Sequence, residues 1–212
     1  MKTVKICGLQ DKAMIDVALD SGAKHLGFVH FEKSPRHVEL TALDFLTDYV
    51  GMKAMTWVVL AKPELSLLLE IARNASSVQG MQIHGELPIE VVHEVRKIRP
   101  DMKFMRAYSV AEENDFPSQE DMNQYDYVLF DAKPKPDDKL PGGNGTSFNW
   151  QIMQGFQVDK PWFLAGGLDA GNVDEAILQS GTQMVDVSSG VESAPGVKDA
   201  DRIREFIAAA LN

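Results

Sequence analysis

Short apolar, β-branched runs alternate along the chain with segments whose apolar residues recur at helical spacing. The strand-like runs are "TVKIC" 3–7, "HLGFVH" 25–30, "AMTWVVL" 54–60, "VQGMQIH" 78–84, "KFMRAY" 103–108, "YDYVLFD" 125–131, "PWFLAGG" 161–167 and "QMVDVSS" 183–189. Amphipathic segments at 10–21, 41–50, 63–75, 88–98, 111–122, 171–180 and 199–211 lie between them, and "NWQIMQ" 149–154 is the helical candidate after the sixth run. Thr41, ahead of "ALDF", is the expected helix cap there. Eight strands in strict alternation with helices, and no Pro/Ser-rich linker, predict one closed α/β domain over 1–212, a compact (β/α)8 TIM barrel. The one long irregular stretch, "AKPKPDDKLPGGNGTSF" at 132–148, reads as a functional or mobile surface loop.

Parity along the strands then sorts the side chains, because successive residues of a strand point to opposite faces. In the first run Val4 and Ile6 share a face that must meet the helices, which turns Lys5 and Cys7 into the barrel. By the same test Gln82 and His84 point inward from the fourth run, Asp131 from the end of the sixth, and Asp186 and Ser188 from the eighth. A purely structural interior would carry Val, Ile or Leu at these positions. An unpaired buried charge is costly, so the inward polar groups are expected to pair with one another. They cluster near the C-terminal strand ends, where sites of this fold are built.

Composition narrows the function without naming it. Hydrophobic residues at 44% and charged residues at 25% are ordinary for a globular chain with a sizeable core. No apolar run reaches membrane-spanning length, and the N-terminus lacks a secretory pattern, so the expected location is cytoplasmic. One cysteine permits neither an internal disulfide nor a cysteine-based zinc site, and the histidines show no metal-ligand spacing. A formal net charge of -10 argues against general nucleic-acid binding, while leaving room for a locally positive site that takes a small anion.

Three glycine-bearing turns follow the last three strands: "GGNG" 142–145, "AGGL" 165–168 and "VSSGVE" 187–192. Glycine lets the backbone approach an anion, and exposed N–H groups can cradle phosphate. Each turn alone is a weak signal; together, at the last loops of a barrel, they mark the fold's recurring phosphate site, with a short extra helix expected after the eighth strand. Arg36, in "EKSPRHV" 32–38, can grip a carboxylate bidentately or stand as a solvated loop residue. Cys7 alone reads as a small buried hydrophobe. Lys5 on the same face argues for a lowered thiol pKa and a reactive thiolate.

Taken together, "VKICGL", "GAKHLGFVHFEKSPRHV", "MQIHGE", "PGGNGTSFNW", "FLAGGLDAGNV" and "VDVSSGVESAPGVKD" closely resemble the phosphoribosylanthranilate isomerase family of tryptophan biosynthesis, in order and over nearly the whole chain. The resemblance implies an isomerase that performs an Amadori rearrangement of an aminoaldose to an aminoketose by general acid–base catalysis, with no cofactor and no metal. It implies Cys7 as base and Asp131 as acid. It places Arg36 on the anthranilate group, Asp186 at the substrate, and the phosphate on Gly143, Gly145, Gly166, Gly167, Ser188, Ser189 and Gly190. Position alone adds Lys5 as electrostatic tuner of Cys7 and His84 as cavity wall or hydrogen-bond donor. The implied partners are a phosphorylated small molecule and other enzymes of the tryptophan pathway, with neither nucleic acid nor membrane. Three departures stand out: Thr146 and Asn149 where the family carries a basic residue and an aspartate, His30 at an apolar position, and "LDAGNV" in place of a proline-containing turn. A non-catalytic sugar-phosphate-binding paralogue, and an isomerase that also accepts the related histidine-pathway aminoaldose, remain as alternatives.

Overall fold

The computed structural model describes residues 2–133 and 149–212. Strands β1 (Thr3–Cys7), β2 (His25–Val29), β3 (Met55–Ala61), β4 (Gly80–His84), β5 (Lys103–Val110), β6 (Tyr127–Ala132), β7 (Trp162–Leu164) and β8 (Met184–Val187) are parallel and close into a barrel in chain order. The seam is β1 against β8, with Lys5 level with Asp186. Helices α1 (Lys12–Asp20), α2 (Leu40–Val50), α3 (Leu65–Asn74), α4 (Ile89–Ile98), α5 (Gln119–Met122), α6 (Val173–Ser180) and α7 (Ala200–Leu211) accompany the strands. Past β8 the chain makes a single 3₁₀ turn, Ser189–Val191, and then a small hairpin of β9 (Glu192–Ala194) and β10 (Val197–Lys198). No helix among the described residues is long and apolar enough to cross a membrane.

Two cores follow from the strand alternation. The outward side chains Val4, Ile6, Met81, Ile83, Val185 and Val187 are buried together with Ile15, Leu43, Leu68 and Phe206 of the helix layer. Inside the barrel, Trp57, Met105, Leu129 and Phe163 pack with Met55, Tyr127 and Met184, which open their strands, so the N-terminal end of the barrel is plugged by large apolar groups. One polar group is set into this plug. His25 Nδ1 accepts from Trp57 Nε1 at 2.9 Å, and Phe163 meets its ring edge-on. Burial, helped by the Lys5 charge, pulls the His25 pKa down to about 4.

Four local expectations need correction. The segment 111–122 is not one helix: Pro117 breaks it into a 3₁₀ turn, Glu113–Asp115, and the short α5, because proline lacks the N–H and restricts the residue before it. Thr41 is not a cap; α2 starts one residue earlier at Leu40, with Glu39 at the N-cap and no side-chain cap bond. The seventh strand stops at Leu164, and its expected last residues form the Gly166–Gly167 turn instead. The extra helix after the eighth strand is only the Ser189–Val191 turn, since Glu192 immediately enters the β9 hairpin. The loop expectation at 132–148 falls almost wholly outside the described residues.

The buried His25 sets a pH dependence. Its folded-state pKa of about 4 lies below the ordinary value of 6.5, so between these pH values the unfolded chain binds the extra proton. Stability is therefore expected to fall as pH drops from 6.5 towards 4, by up to about 3 kcal/mol from this group. Urea midpoints across that range measure it. His25→Gln, which keeps an acceptor for Trp57 without titrating, should make the profile shallower and leave the share of the other histidine whose pKa burial depresses, His84.

Candidate active site

The C-terminal end of the barrel opens into a cavity of about 740 Å³, counting its solvent-filled mouth. Cys7, Arg36, His84, Asp131, Gly166, Gly167, Asp186, Ser188 and Ser189 all line it. Of the polar side chains expected inward from β1, β4, β6 and β8, all but Lys5 line this one volume.

Its floor is an ion pair. Lys5 Nζ donates to Asp186 Oδ1 at 2.8 Å, with the lysine fully buried. Lys5 does not line the cavity itself; it lies one inward position before Cys7 on β1 and level with Asp186 on β8. Burial alone would lower the Lys5 pKa, but the Asp186 carboxylate and Cys7 outweigh it and hold the ammonium above the usual lysine range. Gly27, level with Cys7 on β2, makes the room: a Cβ there would stand 3.0 Å from both Cys7 Sγ and Lys5 Nζ.

The expected lowering of the Cys7 thiol pKa is reversed in the free protein. Burial pushes it up, and Asp186 adds to that; Lys5, Lys198 and Arg36 pull it down without overcoming the loss of water. A neighbouring cation on the same strand is legible in the sequence; desolvation by the whole barrel mouth is not.

Asp131, three strands round the barrel from β1, is buried near the end of β6, and a Cβ on Gly166 would come within 3.0 Å of its Oδ1. His84 Nε2 lies 3.0 Å from Gln82 Nε2, the amide donating to the ring. Burial, with smaller contributions from Lys5 and Arg106, holds the His84 pKa down at about 4, so the ring is neutral at pH 7 and is a poor rival for a base. Gln82 Oε1, also buried, has no hydrogen-bond partner among the described residues.

Arg36 is not a solvated loop residue. It is buried, and its Nε and Nη2 donate to Glu192 Oε1 and Oε2 at 2.7 and 2.8 Å. Lys198 Nζ donates to the same Glu192 Oε1 at 2.7 Å and to the Ser188 carbonyl at 2.9 Å. Neither Glu192 nor Lys198 was expected at the site. Both sit in "VESAPGVKD", but burial of two charges in a Gly/Pro-containing turn has no local signature.

Among the expected phosphate residues, Gly166, Gly167, Ser188 and Ser189 reach the cavity. Gly190 does not line it and lies against the Leu168 carbonyl. Gly143, Gly145 and Thr146 lie outside the described residues. Asn149 caps the 3₁₀ turn Trp150–Met153 by accepting from the Gln151 N–H at 3.1 Å. Asn172, from the departing "LDAGNV" turn, donates to the Gly167 carbonyl at 2.9 Å and so braces the glycine turn. His30 stays off the floor, with Nδ1 2.9 Å from the Val38 carbonyl.

The profile of the N-(5'-phosphoribosyl)anthranilate (PRA) isomerase family matches residues 4–209. The chain belongs to this family. It is 45% identical over 210 residues to the N-(5'-phosphoribosyl)anthranilate isomerase of Paracoccus denitrificans, covering 98% of this chain and 96% of that one. It superposes on the crystal structure of the Thermotoga maritima phosphoribosyl anthranilate isomerase with a TM-score of 0.85 at 31% identity, over 100% of this chain and 99% of that one. A phosphoribosyl anthranilate isomerase solved in complex with reduced 1-(o-carboxyphenylamino)-1-deoxyribulose 5-phosphate matches with a TM-score of 0.82 at 29% identity, over 100% and 99% of the two chains.

Burial and the Lys5 charge act on the Cys7 thiol in opposite directions. Alkylation of Cys7 by iodoacetamide is expected to show a pH midpoint above the roughly 8.5 of an ordinary thiol. Lys5→Met removes the largest opposing charge and should move the midpoint higher still, read as a slower rate at pH 8. A lower midpoint in that variant would contradict the electrostatic account.

Proposed function

We propose that this chain isomerises N-(5'-phosphoribosyl)anthranilate to 1-(o-carboxyphenylamino)-1-deoxyribulose 5-phosphate by general acid–base catalysis. The observation that carries the reading is that Cys7 and Asp131, which can supply a base and an acid, line one cavity together with a buried arginine and two turns able to hold phosphate.

Asp131 donates a proton to the ribose ring oxygen, the C1–O bond breaks, and the anilino nitrogen's electron pair forms the C=N bond of a Schiff base. The Cys7 thiolate then removes the proton from C2, and those electrons form the enolamine. A proton then returns to C1 while the C2 hydroxyl gives its own to the Asp131 carboxylate left by the first step, so C2 becomes the ketone and the atoms of the aminoaldose are conserved. Placed acids and bases contribute typically about 10² to 10⁴ each. Arg36 is the anchor for the anthranilate carboxylate, and Asp186 orients the sugar from the floor. Gly166, Gly167, Ser188 and Ser189 offer N–H and hydroxyl donors to the phosphate, and the reading adds Gly190 and, outside the described residues, Gly143 and Gly145. His84, neutral, serves as a wall and a hydrogen-bonding group. The solved relative with the reduced product supports the substrate class. The reading includes work in the cytoplasm beside other tryptophan-pathway enzymes, in keeping with a chain holding one cysteine.

Loss of the substrate's fluorescence tests this. Turnover is expected without added metal or cofactor, and to persist in excess chelator. Cys7→Ala and Asp131→Asn should each lower kcat by about 10² or more while circular dichroism and the urea midpoint stay near those of the parent. Undiminished turnover by either variant would remove that residue from its role. Binding of the product with no turnover by the unmodified chain would identify a non-catalytic paralogue.

A further inference from the structure

Arg36 is held in a way its role as a carboxylate anchor does not by itself require. One edge of the guanidinium, Nε and Nη2, is spent on Glu192 in a fork of 2.7 and 2.8 Å. Among the described residues Nη1 donates no hydrogen bond, and Arg36 lines the cavity. Glu192 is in turn fixed from three directions. Its Oε1 also accepts from Lys198 Nζ, its Oε2 accepts from the Gly196 N–H at 3.1 Å, and its backbone carbonyl accepts from Arg202. Lys198 is pinned to the Ser188 carbonyl, beside the turn expected to take phosphate. Beneath the arginine, Gly8 keeps a positive φ of 80°, and a Cβ there would come within 2.7 Å of Arg36 Cδ.

We propose that Glu192, locked by Lys198 and the β9–β10 hairpin, is a positioning residue that presents the free Nη1–Nη2 edge of Arg36 to the substrate's carboxylate. This rests on the reading of Arg36 as the anthranilate anchor. The chemistry follows from the fork. A guanidinium offers five N–H groups in a rigid plane, so binding one carboxylate along the Nε edge leaves a second edge with bidentate geometry. Two carboxylates on one arginine would repel, which is where Lys198 enters. Its ammonium, with a side chain only 3% exposed, shares Glu192 Oε1 with Arg36 Nε and offsets that charge. Arg36 thereby keeps a net attraction for an incoming anion while its direction is fixed. Burial depresses the Lys198 pKa, and contact with Glu192 opposes that.

The test uses two substrates: phosphoribosylanthranilate, and the analogue built on aniline, which lacks the carboxylate. Arg36→Met should raise KM for the first by a large factor and leave the second nearly unchanged. If both suffer equally, the reading of Arg36 fails, and this inference with it. With Arg36 sustained, Glu192→Gln is expected to raise KM for phosphoribosylanthranilate about tenfold, with kcat and the aniline analogue little affected. The double variant with Arg36→Met should show no further loss, because both changes remove one interaction. Glu192→Gln combined with Lys198→Met keeps the buried charge balanced and guards against a folding defect; it should retain the raised, carboxylate-dependent KM. An unchanged or lowered KM in the folded Glu192 variants, or losses that add to those of Arg36→Met, would overturn the positioning role.

Discussion

The barrel closes on a buried ion pair. β1 and β8 meet at the seam, and at that meeting Lys5 faces Asp186 at 2.8 Å with almost no access to water. Taking two charges out of water is expensive, and well-packed hydrophobic side chains of similar size are often as stable or more so. As a device for holding the sheet together, the pair is therefore a poor choice. Its value lies in what it positions: an ammonium beneath the only cysteine, on the adjacent inward position of the same strand, and a carboxylate on the cavity floor. Gly27 opposite leaves the space both side chains occupy. The N-terminal half of the interior, plugged by Trp57, Met105, Leu129 and Phe163, supplies the apolar packing that the C-terminal half forgoes.

Much of this was legible because a strand's period is two. Once Val4 and Ile6 are assigned to the helix layer, Lys5 and Cys7 have only the interior left, and the same holds for Gln82 and His84 or Asp186 and Ser188. That inference needs no tertiary knowledge beyond a closed barrel. What it cannot supply is the environment. The thiol pKa depends on desolvation by the whole barrel mouth as well as on its nearest cation, and burial proves the larger influence. The break at Pro117 was visible as a residue type but was overridden by the helical spacing around it.

Glu192 and Lys198 escaped for a different reason. Arg36 and Glu192 are 156 residues apart, and nothing local marks either partner as buried. A glutamate and a lysine in a turn with proline and glycine read as a solvated pair. Their burial comes from the hairpin folding back over the loop that carries Arg36, which places Gly196 against the Pro35 carbonyl. Sequence signals report periodicity well and long-range pairing poorly, so a second layer that orients a binding residue is the part most easily missed.

The charge pattern at the mouth answers how an acidic chain takes an anionic ligand. Lys5, Arg36 and Lys198 stand against Asp186 and Glu192, three buried cations to two buried carboxylates. These groups are buried, so salt screens them far less than it screens the exposed carboxylates that give the chain its net charge of -10. A local surplus of one cation in low dielectric outweighs a diffuse negative surface beyond a Debye length. The same surplus works on the base. It opposes the desolvation of Cys7 from below and from the rim, so the cations able to attract an anion also favour the thiolate. Arriving phosphate and carboxylate would raise the thiol again if they neutralised that surplus directly above it. Arg36 and the Gly166–Gly167 turn line the cavity, while Lys5 stays fully buried on the floor with its charge directed at Cys7 and Asp186.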